Sequence, residues 1–303
     1  MRLSGRIRWL LLPALALALL GVAACSRANP PSPRSPRRPS RQPAASSTTT
    51  PAASAPVADP PAYDWAKRYR LIAHGMGAIG GIGQSNTREA FERSYGRGFR
   101  IFEVDFEFTR DGQLVARHDW TAARYARFGQ KPPSGGVPTL TQFKAMKVRG
   151  KYTPLSAADV VELMREHPDA WVMTDIKDPS VKRRTHALRK LLDAAAGDKA
   201  IRDRIIVQIY SEGDLKPARA LGFRNILYTF YRLETPVDRA IRFADANDIR
   251  VVTFPKSGAT KSLIASLRHH GIRCATHTVN DAAEERWLYR RGVRLFYTDR
   301  LKP

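Results

Sequence analysis

The segment RIFEVDFEFTRDGQLVARHDW (100–120) decides the fold and much of the chemistry of this chain. In its first half apolar residues alternate with acidic ones, which predicts a β-strand. Because successive side chains of a strand point to opposite faces, Glu103 and Asp105 share one face and stand ~7 Å apart. Two carboxylates on the inner face of a buried strand are costly unless a cation lies between them, and a hard divalent metal is the usual cation. His118, further along the segment, offers a titratable ring for acid/base chemistry beside that metal.

Short apolar runs like this one recur along the chain and alternate with helical patterns. The predicted strands are 70–74, 101–108, 171–177, 205–210, 225–230, 249–255, 272–279 and 293–299. The predicted helices are 87–97, 181–196, 213–221, 237–247, 260–270 and 281–291. Eight strands with crossover helices predict an α/β protein with a TIM-type (β/α)8 barrel. The alternative is an open doubly wound sheet, but the loop after the first strand carries His74 where a dinucleotide-binding loop needs a small residue.

A longer excursion, residues 119–169, separates the second and third predicted strands. It contains a turn sequence at 135–140 and a helical pattern near 157–166. Insertions at the carboxyl end of a barrel commonly shape the active site. We therefore expect this excursion to form a wall of the site.

The first 62 residues have a composition that cannot form a folded core. An arginine-containing start and an apolar run over 9–24 precede small residues and Cys25, which predicts a lipoprotein-type signal peptide over 1–25 that ends at a lipidated cysteine. An ordinary signal peptide with an incidental cysteine is the alternative. Residues 26–62 are rich in Pro, Ser and Thr and predict a disordered tether, which leaves 63–303 as the barrel domain. Lipid on Cys25 would place the protein in a bacterial cell envelope, facing the periplasm or the exterior.

The chain is strongly basic, with 51 Lys and Arg against 28 Asp and Glu and a net charge of +23. Residues 1–62 supply eight arginines against Asp59, or +7, and leave +16 on the domain. Such a surface suits nucleic acid, anionic lipid headgroups or phosphorylated substrates, and a solvated basic surface without a partner is the plain alternative. The sequence has no nucleic-acid-binding motif and no interleaved stripe of aromatic and basic residues, so we expect no nucleic-acid partner. No feature calls for an obligate protein partner.

Polar residues also stand at the ends of other predicted strands, where barrel enzymes place their catalytic groups. His74 ends the first strand, and Asp175 and Lys177 lie two apart on the third. Each residue alone also fits a structural role, such as a hydrogen-bonded histidine or a local salt bridge. Because polar side chains on the inner faces of neighbouring barrel strands must meet, we expect these groups to converge with Glu103 and Asp105.

The order and spacing of these elements resemble the glycerophosphodiester phosphodiesterase family, which belongs to the phosphatidylinositol phospholipase C-like superfamily of phosphodiesterases. The resemblance runs from about Leu71 to Leu301, nearly the whole domain. The matching elements are His74, Ser85-Asn86-Thr87, Glu103-x-Asp105, Asp111-Gly112, His118-Asp119, Asp175-x-Lys177, Thr278-Val279-Asn280 and Thr298-Asp299.

This resemblance implies a metal-dependent phosphodiesterase with a TIM-type barrel and one divalent cation, Mg²⁺ or Ca²⁺. The implied metal ligands are Glu103, Asp105 and Asp175. The implied catalytic residues are His74 and His118, with Lys177 at the phosphate. The chemistry is consistent, because a metal and an ammonium neutralise the charge of the transition state while one histidine deprotonates the attacking hydroxyl and the other protonates the leaving alkoxide.

Three positions depart from the family pattern. Gly75 stands where an arginine is usual, Ser85 where a glutamate is usual and His277 where a tryptophan is common. Two features of this sequence resemble the sphingomyelinase D branch of the superfamily. The usual arginine is missing, and Asp175 stands where many family members have glutamate. The substrate is therefore expected to be a glycerophosphodiester or a phospholipid headgroup. The alternatives are a phospholipase D-like lyase that forms a cyclic phosphate and a non-catalytic envelope lipoprotein that binds phosphorylated ligands.

Overall fold

Eight parallel strands close into a barrel in the computed structural model, which describes residues 61–231 and 233–303. The strands in chain order are β1 (Leu71–Ala73), β2 (Ile101–Phe108), β3 (Leu114–Ala116), β4 (Trp171–Asp175), β5 (Ile205–Ile209), β6 (Asn225–Thr229), β7 (Val251–Pro255), β8 (Arg273–His277) and β9 (Leu295–Thr298). Pairing of β1 with both β2 and β9 closes the ring. Among the strands of the described residues, β3 alone lies outside it, antiparallel to the end of β2. The predicted TIM-type (β/α)8 barrel is confirmed.

Helices connect the strands in the order that the sequence predicts. They are α1 (Asp64–Arg68), α2 (Arg88–Gly96), α3 (Ala122–Arg127), α4 (Leu140–Ala145), α5 (Ala157–Glu166), α6 (Val181–Ala195), α7 (Lys199–Asp203), α8 (Leu215–Ala220), α9 (Val237–Ala246), α10 (Lys261–His269) and α11 (Ala282–Arg291). Capping boxes start α4 at Thr139 and α5 at Ser156, where each side chain accepts a backbone N–H of the first turn. The excursion 119–169 thus folds as three helices, α3, α4 and α5, and follows the short strand β3.

Two apolar layers form the core. The outer layer packs residues such as Phe102, Val104 and Phe106 of β2 against the helices. The inner layer fills the amino-terminal half of the barrel with one or two residues from each strand, including Ile101 and Met173. Higher along the same inward-facing rows the side chains become polar, because Glu103 and Asp105 follow Ile101 at alternate positions. The amino-terminal half of the barrel is therefore structural, and the carboxyl end carries the chemistry.

The helix α1 covers the amino-terminal opening of the barrel. Trp65 is fully buried in the inner layer, and its indole N–H donates to Asn225 Oδ1 at 3.1 Å. The Tyr63 hydroxyl donates to the Ile226 carbonyl at 3.1 Å. All described residues belong to one compact unit, and both apolar layers lie within it.

Some predictions need correction or lie beyond these residues. The third predicted strand, 171–177, ends at Asp175, so Lys177 follows the strand instead of lying in it. The predicted signal peptide (1–25) and nearly all of the predicted tether (26–62) are outside the described residues. In the part that is described, no helix has the length and apolar character needed to cross a membrane.

Candidate active site

Strand register brings the predicted metal ligands together. In the parallel pairing of β2 with β4, Asp105 is directly opposite Asp175, and Glu103 is one inward-facing position below Asp105. Glu103, Asp105 and Asp175 each offer a carboxylate oxygen, and these oxygens lie within 4.8 Å of one another. All three predicted ligands therefore converge, at a spacing that one ion could bridge.

The Glu103 carboxylate is the most deeply buried group of this cluster. Its side chain is 1% exposed, Oε2 accepts the Gly75 backbone N–H at 2.6 Å, and Oε1 has no hydrogen-bond partner. Burial, together with the negative charge of Asp105, raises the pKa of Glu103 to about 8. A buried carboxylate oxygen without a partner is unfavourable unless a cation binds it. The residues present therefore fit a divalent cation at this position.

Lys177 compensates the other two carboxylates. Its Nζ donates to Asp105 Oδ1 at 2.7 Å and to Asp175 Oδ2 at 2.5 Å. Burial alone would raise the pKa of Asp105, but the ammonium outweighs it and lowers that pKa to about 2. The same two carboxylates raise the pKa of Lys177, so it stays protonated despite its own burial. Once Glu103 has lost its proton, the three carboxylates against one ammonium leave two negative charges, the charge that one divalent cation would balance.

Two further side chains orient the carboxylates. Asn86 donates from Nδ2 to Asp105 Oδ2 at 2.9 Å and accepts the Asp105 backbone N–H at 3.2 Å. The Tyr210 hydroxyl donates to Asp175 Oδ1. Burial and the Asp175 charge raise the pKa of Tyr210, so this hydroxyl remains a donor. Asp105 and Asp175 are thus each held by a neutral donor on one oxygen and by Lys177 on the other.

His74 follows β1 and is held by groups from the far end of the chain. Its Nδ1 lies 3.2 Å from Asp299 Oδ1 and 3.3 Å from the Thr278 hydroxyl, while Nε2 lies 2.8 Å from the Gln84 side-chain amide. Burial lowers the pKa of His74, but the hydrogen bond to Asp299 and the charge of Glu103 outweigh it and raise the pKa overall. The ring is therefore biased toward its protonated form.

His118 has a matching arrangement with a carboxylate at Nδ1. Its Nδ1 lies 2.5 Å from Asp119 Oδ2. The Asp119 carboxylate also accepts from the Thr121 backbone at 2.9 Å and from Arg124 Nε at 3.2 Å. Burial opposes ionisation of Asp119, but these hydrogen bonds lower its pKa overall. A fixed carboxylate at Nδ1 sets the imidazole orientation and leaves Nε2 for chemistry.

The two histidines face one pocket of about 320 Å³ at the carboxyl end of the barrel. Its lining residues are His74, Gln84, Glu103, His118, Asp175, Lys177, Gln208, Tyr210, Thr229, Tyr231, His277, Thr278 and Tyr297. Asp105 lies beneath Lys177. No residue of the excursion 119–169 lines this pocket, so the prediction that it walls the site is wrong. Its contribution is indirect, because Arg124 on α3 holds the carboxylate that orients His118.

The sequence of the barrel domain matches a known protein family. The model of the glycerophosphoryl diester phosphodiesterase family matches residues 74–302, which include every predicted site residue. The chain belongs to this family. It is accordingly a phosphoric diester hydrolase, and the predicted enzyme class is confirmed.

Solved structures of family members share the fold. A phosphodiesterase of Oleispira antarctica, in complex with the product sn-glycerol-3-phosphate, is 15% identical, with a TM-score of 0.63 over 78% of this chain and 95% of that one. A glycerophosphodiester phosphodiesterase of Parabacteroides distasonis is 16% identical, with a TM-score of 0.60 over 76% and 92%. One from Thermotoga maritima is 19% identical, with a TM-score of 0.56 over 76% and 95%.

The first departure from the family pattern, Gly75, has a structural cause in this chain. Its φ is +52°, and a Cβ built there would lie 2.3 Å from the Gln84 Cα. A larger side chain would therefore collide with the loop backbone as well as adopt an unfavourable conformation. The Gln84 side chain instead projects onto His74. In this phosphodiesterase Gly75 thus replaces the usual arginine after His74, and the Gln84 amide contacts the His74 ring.

His277, the third departure, forms part of the pocket wall. Its ring lies 6.0 Å from Tyr231 and 5.9 Å from Tyr297, centroid to centroid. Burial and the nearby positive charge of His74 lower its pKa to about 4. His277 is therefore neutral near pH 7 and is not the ring that donates a proton at that pH.

Sequence reasoning assigned no role to several residues that hold the predicted groups. They are Gln84, Asn86, Asp119, Tyr210 and Asp299. Asp119 and Asp299 were visible as parts of matching motifs, but their contacts with the histidine rings were not. Tyr210 carries a usable signal, because it follows β5 on the inward-facing row of Ile206 and Gln208.

Proposed function

We propose that this protein hydrolyses glycerophosphodiesters with the help of one divalent cation, Mg²⁺ or Ca²⁺, and two histidines. The observation that carries the proposal is the pocket itself, in which His74 and His118 face Lys177 and the carboxylate cluster. The complex of the Oleispira antarctica relative with sn-glycerol-3-phosphate supports a glycerophosphodiester as substrate.

Glu103, Asp105 and Asp175 would hold the cation. The unpartnered Oε1 of Glu103 and the two uncompensated negative charges support this assignment, and enzymes of the family generally depend on a divalent metal. A bound divalent ion supplies Lewis-acid polarisation of a phosphoryl oxygen. Lys177, whose ammonium lies at the edge of the same cluster, would pair with a phosphate oxygen and stabilise the charge that develops there.

The histidines would divide the proton transfers. The raised pKa of His74 suits a proton donor, so His74 would protonate the leaving alkoxide. His118, with Asp119 at Nδ1, would use Nε2 to remove a proton from the attacking water. The two carboxylates would hold both rings at fixed orientations in one pocket, so that donor and acceptor act on the same substrate. The lipid on Cys25, if formed as the sequence predicts, would keep this chemistry in the bacterial cell envelope.

A substrate panel tests the proposal. The purified protein is incubated with glycerophosphocholine, glycerophosphoethanolamine and a choline phospholipid, with Mg²⁺, with Ca²⁺ or with EDTA. We expect metal-dependent release of glycerol phosphate from the soluble diesters, and ³¹P NMR identifies the product. Formation of a cyclic phosphate would show that the enzyme catalyses the lyase reaction instead of hydrolysis. Absence of turnover of every substrate with either metal would refute the proposal.

A further inference from the structure

Arginine marks the start of seven of the eight barrel strands. Six arginines directly precede a strand and one is the first residue of β8: Arg70, Arg100, Arg204, Arg224, Arg250, Arg294 and Arg273. Because the barrel strands are parallel, these residues form a ring, here called the arginine ring, at the amino-terminal end of the barrel. The exception is β4, which Asp169 precedes, and this carboxylate pairs with Arg100 at 2.5 Å. The pocket opens at the opposite end.

Part of the arginine ring has a structural task. Arg204 donates to the carbonyls of Met164 and Ala170 at 2.9 and 2.8 Å, and Arg294 donates to the Tyr289 carbonyl at 3.0 Å. The Met164 and Tyr289 carbonyls lie in the last turns of α5 and α11, where the negative helix end favours a cation. Such hydrogen bonds remove no formal charge, so the end of the barrel stays basic.

Carboxylates neutralise only some of the arginine ring. Ion pairs join Arg70 to Glu285, Arg100 to Asp169, and Arg250 to Asp245 and Asp248. The other four arginines of the ring have no carboxylate within 4 Å among residues 61–231 and 233–303. They are Arg204, Arg224, Arg273 and Arg294. The ring therefore carries a surplus of positive charge.

An exposed aromatic ring lies within this basic surface. Tyr289 is 42% exposed and lies between the guanidinium groups of Arg70 and Arg294, at 5.5 and 4.7 Å from its centroid. Trp, Tyr and Arg side chains are those that settle at the headgroup level of bilayers. Beside them, a cavity of about 240 Å³ is lined by three arginines, Arg68, Arg70 and Arg100.

We propose that the arginine ring and the exposed Tyr289 between two of its members dock this end of the barrel onto an anionic phospholipid bilayer. The chain enters the barrel at the same end, because Tyr63 and Trp65 bond to the first residues of β6. A lipid tether on the preceding residues would therefore join the docked face. The pocket then opens away from the membrane, toward water-soluble diesters; this consequence rests on the function proposed above.

Vesicle co-sedimentation of residues 56–303, without the predicted anchor, tests the docking. We expect binding to phosphatidylcholine vesicles that contain about 30% phosphatidylglycerol, which supplies negative surface charge. Binding to pure phosphatidylcholine should be weak, and added salt should release the protein from the charged vesicles. The double variant Arg224→Gln/Arg273→Gln removes two charges of the arginine ring whose side chains make no hydrogen bond with other described residues. Its binding should weaken by about 25-fold, about fivefold for each charge.

The matched control is Lys182→Gln/Lys216→Gln, which removes two exposed charges from the starts of α6 and α8, toward the pocket end. It should bind as the unmodified protein does, and both double variants should keep the melting temperature and the turnover of a soluble diester. Equal binding to both vesicle types, equal loss in both double variants, or binding to polyphosphate without binding to vesicles would overturn the proposal. Absent turnover with intact vesicle binding would count against the proposed function alone.

Discussion

The pairing of His74 with Asp299 makes a quantitative prediction for the variant Asp299→Asn. Asparagine keeps an oxygen that can accept the Nδ1–H of His74 but removes the negative charge 3.2 Å away. With an effective dielectric constant near 20, that charge attracts a protonated ring by at most ~5 kcal/mol. Desolvation offsets much of this attraction. An opposite charge at this distance typically shifts the pKa of its neighbour by about 1–3. The pKa of His74 should therefore fall by about 1–3 in the variant.

The sign of the effect on activity follows from the role of His74 as proton donor. Asp299 raises the pKa of His74, so its removal shrinks the pH range in which the ring is protonated. The alkaline limb of the profile of kcat/KM against pH should move to lower pH by the same amount. Above both pKa values, each lost pKa unit reduces kcat/KM by about tenfold. Below them, the variant should approach the rate of the unmodified enzyme.

The assay is the pH profile of kcat/KM for a soluble glycerophosphodiester at saturating metal. The control is Asp281→Asn, which removes the same charge from the N-cap of α11, where asparagine also caps well. Only Asp299→Asn should shift the alkaline limb. If both variants gave the profile of the unmodified enzyme, His74 would not be the donor that Asp299 supports.

Three further predictions concern the carboxylates and Gly75. Because the pKa of Glu103 is about 8 without metal, cation binding should release close to one proton at pH 6–7 and close to none at pH 9.5. Calorimetry in buffers of different ionisation enthalpy measures this proton release. Proton release that does not depend on pH would contradict the prediction. Glu103→Gln should abolish the metal-dependent rise in Tm while changing the metal-free Tm little, and a retained rise would remove Glu103 from the ligand set. Gly75→Ala should destabilise the fold by more than about 2 kcal/mol in denaturant unfolding, because of its clash with Gln84. Gly81→Ala, with φ +78° and open space around it, is the matched control and should cost about 1 kcal/mol; equal losses would refute the clash.

Periodicity explains why the sequence predicts the barrel so well. Each barrel strand is a short apolar run, and each helix between strands is long enough to show an apolar face. The strand β3 escaped detection because Leu114–Ala116 is too short to show alternation, and only its pairing with β2 defines it. Lys177 was assigned to a strand because Asp175 and Lys177 continue its alternation, although the pairing with β5 ends at Thr174.

The candidate site was predictable wherever strand geometry alone places a residue. Asp105 and Asp175 meet because adjacent parallel strands align their carboxyl ends, and this follows from the fold. The contact of His74 with Asp299 depends on the register at which β1 and β9 close the barrel, which no local pattern encodes. Gln84 reaches His74 through a loop whose path depends on backbone conformations that only the folded chain reveals.

The most direct measurement of the central claim compares kcat/KM for one glycerophosphodiester among His74→Ala, His118→Ala and the control His269→Ala. His269 is exposed at the end of α10, away from the pocket. We predict that each of the first two variants loses about 10²- to 10⁴-fold, the contribution of a positioned general acid or base, while all three keep the Tm of the unmodified protein. Losses below tenfold in both pocket variants would contradict two-histidine catalysis at this site.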